Sequence, residues 1–275
     1  MRWRGGRAVT GRRRRARPVW LTRPLAVIAC VAVLWSIVAA APATGTLSAL
    51  VTNPADGTTA IGALFSTSDG QLGTHFCTAS VVHSPAGDLL VTAAHCVTGY
   101  SDTSPAGLVF VPGYDNGYAP YGIWPVTRVF IDSAWESAAD PNDDFAFLTV
   151  TQPGNSTPIE AITGAERLGI GEPSTDIVQV TGYPDGLDQP VTCRNRASAF
   201  SSTQMQFDCD GYTDGTSGSP FLIHGDTATG GSTVIGVIGG YQRGGGSPDI
   251  SYAATFGENV QALYGVAVSW AQSGS

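Results

Sequence analysis

The chain has 275 residues, only 13 % of them charged, with 35 glycines, 17 prolines and a formal net charge of −8. So many turn formers with so little charge excludes coiled coils and long solvated helices and favours short strands joined by tight turns. Nine arginines precede Pro24, whereas all 22 acidic residues follow it against only five further arginines, a balance of −17 that argues against a nucleic-acid surface on the main body.

In chain order, the basic head leads into an apolar run over 24–41 and then Ala41-Pro42-Ala43. This pattern reads as a signal peptide over 1–43, cleaved after Ala43; the rival is an uncleaved anchor, because the run is at the short end of a membrane span. Both readings put the rest of the chain outside the cytoplasm, either secreted or anchored facing outside. Residues 44–60 are polar and turn-rich and read as a short pro-segment or a loose arm.

Apolar runs of strand length then recur between Gly, Pro, Asp and Asn clusters. The first half has them at 61–65, 76–83, 89–92, 108–111, 123–131 and 145–150. A polar linker covers 151–158. The second half has them at 177–182, 191–200, 205–209, 220–224, 234–241 and 251–255. Six runs in each half predict an all-β chain of two six-stranded antiparallel barrels, over 61–158 and 159–275, since closing a sheet removes its edges. Val260, Leu263, Tyr264, Ala267 and Val268 recur at helical spacing and predict a terminal helix over 257–271.

Cys30 falls in the leader, which leaves Cys77, Cys96, Cys193 and Cys209. An even number in an exported chain predicts two disulfides. Three pairings are possible; the sequential one, Cys77–Cys96 and Cys193–Cys209, closes a short loop in each half. No C-x-x-C or paired histidine spacing supports zinc.

Three segments carry chemistry together. Leu90-Val91-Thr92-Ala93-Ala94-His95-Cys96 sets a histidine after an apolar strand, and imidazole is the side chain suited to act as a base near neutral pH. Gly215-Thr216-Ser217-Gly218-Ser219-Pro220 flanks a serine with glycines, which permit a tight turn and close approach of a substrate carbonyl. The backbone N–H groups of Gly215 and Ser217 are then candidates to hold an oxyanion. Pro141-Asn142-Asp143-Asp144-Phe145 sets two carboxylates before a strand, one of which can orient the imidazole.

The order His, Asp, Ser with wide gaps, the box Thr92-Ala93-Ala94-His95-Cys96, the box Gly215-Thr216-Ser217-Gly218-Ser219-Pro220 and the strand Asp144-Phe145-Ala146-Phe147-Leu148 resemble the chymotrypsin-like serine proteases. The bacterial branch that includes glutamyl endopeptidases is the most similar. The resemblance implies a triad of His95, Asp144 and Ser217, selects Asp144 over Asp143, and implies a Cys77–Cys96 disulfide beside the histidine. It places Gly211 and Tyr212 at the specificity pocket and makes Ile238, Gly239 and Gly240 the strand that pairs with substrate, with two glycines leaving that wall open. Three departures stand out. Thr216 replaces the aspartate that pairs with a new N-terminus in animal members. Gly211 stands where trypsins place an aspartate. Ile238 stands where the glutamate-specific branch has histidine.

The expected activity is that of a secreted, monomeric serine endopeptidase acting on polypeptides, with no metal, organic cofactor or nucleic-acid partner. The alternative is a catalytically inactive protease-fold binding protein at the cell surface.

Overall fold

The computed structural model describes residues 53–54, 59–100, 102–103, 105–224 and 231–273. The expected leader, with its cleavage point and Cys30, lies outside them, as does nearly all of the segment over 44–60.

After a two-residue strand, β1 (Asn53–Pro54), six strands follow: β2 (Ile61–Ser68), β3 (Gln71–Val82), β4 (Leu89–Thr92), β5 (Leu108–Pro112), β6 (Trp124–Ile131) and β7 (Ala146–Val150). They close an antiparallel barrel in the order β2-β3-β4-β7-β6-β5. These are the six runs expected in the first half. β2 pairs with both β3 and β5, so no edge is left open. Gly62 makes that closure possible: a Cβ there would lie 2.3 Å from the Val111 carbonyl oxygen. Ile61, Leu64, Leu90, Phe110, Phe147 and Leu148 are fully buried in the core that packs on the barrel's strands.

The β2–β3 hairpin runs further than its apolar pattern predicts, through the pairs Thr67–Leu72 and Ser68–Gln71. Asp69 (φ 51°) and Gly70 (φ 75°) turn it. A two-residue loop with both residues left-handed matches the twist of the strands it joins, so backbone pairing carries the polar extension without burial.

The second half contains β8 (Arg167–Leu168), β9 (Ile177–Gly182), β10 (Val191–Arg196), β11 (Ser198–Ala199), β12 (Gln204–Asp208), β13 (Pro220–His224), β14 (Ser232–Val237) and β15 (Ile250–Ala254). Ladder pairing divides them into a sheet β1-β10-β9-β13-β14-β8 and a smaller one, β11-β12-β15. The two are stitched by the Ile238–Ala253 bridge and by the Cys193–Cys209 disulfide between β10 and the end of β12. They enclose one core of Val178, Val180, Phe207, Phe221, Ile235 and Ala253. The run expected over 191–200 breaks at Ala197, whose N–H donates to the Asp176 carbonyl. The run over 234–241 stops pairing as a strand at Val237 and turns at Gly240 (φ 75°).

Among the described residues, four α-helical segments accompany the strands: α1 (Ala94–Val97), α2 (Ser133–Ala138), α3 (Ile159–Thr163) and α4 (Glu258–Gln272). The expected terminal helix is α4. Its apolar stripe of Val260, Leu263 and Ala267 joins the core of the first barrel, and Tyr264 meets Phe147 edge-on at 5.8 Å. The helix at the end of the second half therefore packs on the first. None of the described helices is long and apolar enough to cross a membrane.

Candidate active site

His95 is placed by β4 and fixed from below. Its neighbour Cys96 in α1 is bonded to Cys77 in β3. Its ring Nδ1 lies 2.8 Å from Asp144 Oδ2 and 3.0 Å from Oδ1, and its backbone N–H donates to Oδ1 at 2.9 Å. Asp144 is 1 % exposed and follows a 3₁₀ turn, Pro141–Asp143, capped by the Asp140 side chain. Gly240 N–H donates to Asp144 Oδ2 at 2.9 Å. Both oxygens are thus satisfied by His95 and two backbone amides, the arrangement a buried carboxylate requires.

The adjacent carboxylate does something else. Asp143 accepts from Asn259 Nδ2 at 2.8 Å, at the start of α4, and burial raises its pKa against the lowering effect of that bond.

Ser217 sits between two left-handed glycines, Gly215 (φ 90°) and Gly218 (φ 84°). A Cβ at Gly218 would lie 2.1 Å from the Thr78 carbonyl oxygen and 2.2 Å from Thr92 Oγ1, so glycine lets the serine turn press against β3 and β4. Thr78 is the clasp between the halves. Its N–H donates to the Ser217 carbonyl at 2.8 Å; its hydroxyl donates to the Gly215 carbonyl at 3.1 Å and accepts from Tyr183 N–H at 3.0 Å. Asp185 N–H holds the Asp214 carbonyl, which turns the 214–215 peptide so that its amide faces the other way. The N–H groups of Gly215 and Ser217 donate to no acceptor among the described residues. Two adjacent unspent donors beside a serine are what an oxyanion site needs.

His95 and Ser217 face one cavity of about 400 Å³, bordered by the Cys77–Cys96 disulfide, although no hydrogen bond joins them in this structure. Catalytic hydrogen bonds are often loose before substrate binds. The sulfurs of Cys77 and Cys96 lie near His95, but they are bonded to each other and so are not thiolate ligands for a metal.

A second cavity, of about 280 Å³, opens beside Ser217 and is lined by Tyr212, Thr213, Ile238, Arg243, Pro248 and Ser251, among others. Of the residues expected at the pocket, Tyr212 and Ile238 are on its wall. Gly211, Gly239 and Gly240 are not. Gly239 packs on Asp144, where a Cβ would lie 3.1 Å from Oδ2. Beyond Gly240 the chain curls into a turn over Tyr241–Gly244 that supplies Arg243 instead. A third cavity, of about 640 Å³, has His95, Tyr100, Ile131 and Trp135 on its walls. Thr216 is buried with its hydroxyl bonded to the Thr213 carbonyl at 2.7 Å, so its turn closes on itself.

Sequence reasoning does not find Thr78, Gln204, Trp135 or Arg243. Gln204 donates to the Pro141 carbonyl and to Asn142 Oδ1 and accepts from Tyr241 N–H, linking the turn before Asp144 to the cavity wall. His83 and His224 are exposed and His75 is buried; none of them lines the cavities beside Ser217.

Comparison with known proteins agrees with this architecture. The trypsin-like peptidase domain matches residues 73–237, more than half of the chain. A glutamyl endopeptidase of Bacillus licheniformis is 30 % identical over 144 residues, 51 % of this chain and 44 % of that protein, so the match spans under half of that relative's length. The fold is similar to that of the protease Anisep from Arthrobacter nicotinovorans (TM-score 0.65, 23 % identity, 80 % of this chain and all of that one). It is also similar to a Glu endopeptidase structure (TM-score 0.60, 18 % identity, 81 % of this chain and 98 % of that one). With the barrel, the His95–Asp144 pair and the glycine-flanked Ser217 in one cleft, the match over 73–237 establishes that this chain belongs to the trypsin-like peptidase family.

Proposed function

We propose that the chain is a secreted serine endopeptidase that cleaves polypeptides through an acyl-enzyme, with Ser217 as nucleophile, His95 as general base and Asp144 as its orienting carboxylate. The observation that carries this reading is the doubly anchored His95–Asp144 pair sharing a cavity with a serine whose own turn holds two unspent amide donors. Asp144 accepts from Nδ1–H, which fixes the tautomer that leaves the Nε2 lone pair free. Nε2 then takes the Ser217 proton as Oγ attacks the scissile carbonyl. The Gly215 and Ser217 amides receive the developing oxyanion. The protonated imidazole gives its proton to the leaving amine, and water repeats the sequence to release the acid. The two disulfides and the basic, apolar leader support export.

The test is fluorophosphonate labelling followed by peptide mapping, with Ser217→Ala as control. Stoichiometric label on Ser217, absent from the control, is the expected result. No label on folded, disulfide-bonded protein would sink the reading.

A further inference from the structure

Gln204 is only 5 % exposed, in β12 opposite Ala254 of β15. Its neighbours Met205 and Phe207 belong to the core of the second half, and an apolar side chain would fill its place without the cost of burying an amide. The amide is fully paired instead. Its Nε2 donates to the Pro141 carbonyl and to Asn142 Oδ1, both at 3.0 Å, and its Oε1 accepts from Tyr241 N–H at 3.0 Å. A carbonyl only accepts and an N–H only donates, so these partners leave the amide one orientation. Gly240 makes room for it: a Cβ there would lie 2.3 Å from Gln204 Oε1.

These bonds close a ring around Asp144. Pro141 and Asn142 belong to the 3₁₀ turn that presents it, and Tyr241 opens the turn that follows the cavity wall. Asp144 Oδ2 takes the Gly240 N–H, and Gln204 takes the next one, from Tyr241. The Tyr241 ring packs on Phe200 and Tyr252, with centroids 4.9 and 5.1 Å away, which ties it to the small sheet β11-β12-β15. Asn259 of α4 grips the same 3₁₀ turn, donating to the Asn142 carbonyl at 3.2 Å and to Asp143 Oδ1 at 2.8 Å. Asn259 stops at that turn; Gln204 reaches the wall as well. Asp144 lies in the first half, and these grips all come from the second, which also carries Ser217. A misplacement of about 1 Å in such a constellation costs about 100-fold in rate.

We infer that Gln204 is a positioning residue for the triad. It fixes the Asp144 carboxylate against His95 Nδ1 and ties that placement to the wall of the cavity beside Ser217, without touching the reacting atoms. This inference rests on the protease reading and extends it to a residue outside the three.

The test is steady-state peptide hydrolysis by the full chain, comparing the parent, Gln204→Met, Asp144→Asn and the double variant. Fluorophosphonate titration of Ser217 normalises each kcat, so that a partly unfolded variant is not mistaken for a slow one. Gln204→Met keeps the length of the side chain and loses all three bonds; kcat is expected to fall by about 10- to 100-fold, with a smaller rise in KM. The double variant decides the role. A residue that acts through Asp144 loses its effect once that carboxylate is gone, so Gln204→Met should cost less than about threefold further in the Asp144→Asn background. Losses that multiply, or a kcat unchanged in the single variant, overturn the inference. Gln204→Glu gives a second route. It keeps an acceptor for Tyr241 N–H but turns a carboxylate towards the Pro141 carbonyl and Asn142 Oδ1, so kcat should fall while KM stays within about twofold of the parent. A raised KM with kcat unchanged would overturn the link to Asp144. Should Gln204→Met fail to fold, Gln204→Glu in the Asp144→Asn background carries the same comparison. A parent that neither takes label on Ser217 nor cleaves peptides ends the protease reading, and this inference with it. An active parent whose variant losses multiply ends this inference alone.

Discussion

At the scale of single residues the site depends on groups that are each held from two sides. Asp144 receives His95 twice and Gly240 once, so it sets both the imidazole and the start of the cavity wall. Asp144→Asn keeps the shape but offers an N–H where Nδ1–H must be accepted, which favours the wrong tautomer. The expected loss in kcat is about 10³- to 10⁴-fold, with KM changed far less, measured by steady-state peptide hydrolysis. Thr78 makes a subtler case. Thr78→Val preserves volume but leaves Tyr183 N–H and the Gly215 carbonyl unpaired in a buried place. The turn carrying the Gly215 and Ser217 amides, the proposed oxyanion donors, then loosens, and kcat should fall about 10- to 100-fold while fluorophosphonate still labels Ser217 at a reduced rate. A kcat unchanged from the parent would remove Thr78 from the machinery. His95, Asp144 and Ser217 could be proposed from the sequence only because three segments in the order His, Asp, Ser together resemble a family, and that resemblance alone selected Asp144 over Asp143. Thr78 is not legible there, because one threonine in a strand looks like any other β-former, and its work is done by a hydroxyl facing residues more than 100 positions away. Arg243 is invisible for a related reason: its reach depends on two left-handed residues that no composition signal announces.

At the scale of elements, the two halves differ in how they are closed. The first barrel closes through backbone pairing alone, and apolar runs of strand length between turn-forming clusters made its six strands legible. What the pattern lacked was the polar end of the β2–β3 hairpin, which pairs without burying anything. In the second half pairing divides into two sheets, and the joint relies on the Ile238–Ala253 bridge and the Cys193–Cys209 disulfide. That division could not be read from the six apolar runs of this half, since it depends on where β14 stops pairing. It predicts unequal roles for the sulfurs. Replacing Cys193 and Cys209 together by alanine opens a loop of sequence separation 16 and should cost about 3 kcal/mol. For a chain of this size that corresponds to a fall in Tm of roughly 6–12 °C in calorimetry. The loss should appear mainly as easier proteolysis of the strands around β12, with Ser217→Ala as the background to prevent self-cleavage. A Tm within about 2 °C of the parent would show that the bridge and the core hold the two sheets unaided.

At the scale of the whole molecule the dominant quantity is charge. After Pro24, 22 acidic residues face five arginines, so the compact state concentrates negative charge that the unfolded chain spreads out. Three carboxylates add to this from inside. Burial is the largest cause of the raised pKa of Asp88, Glu166 and Asp143, partly offset by hydrogen bonds to each. A carboxyl group whose pKa is higher in the folded state binds its proton more tightly there than in the unfolded chain. Between the unfolded value of about 4 and the raised folded value, the folded state therefore carries more protons, and stability falls as pH rises through that window. Self-repulsion acts in the same direction, since fewer charges remain at lower pH. The fold should accordingly gain stability as pH drops from 8 through the raised pKa values of these carboxyls towards about 4, with Tm rising by roughly 2–6 °C in scanning calorimetry of the Ser217→Ala protein. Salt at about 0.5 M should recover part of that gain at pH 8, because screening weakens the repulsion but leaves the burial of the three carboxyls untouched. Asp88 separates the two causes, since its Oδ1 is buried without a partner. Asp88→Asn should raise Tm at pH 8 and lose that advantage as pH falls through the raised pKa of the parent carboxyl, where that group takes up its own proton. A parent Tm that is flat or falling all the way from pH 8 to about pH 4 would mean that neither the buried carboxyls nor the acidic surface governs the stability of this fold.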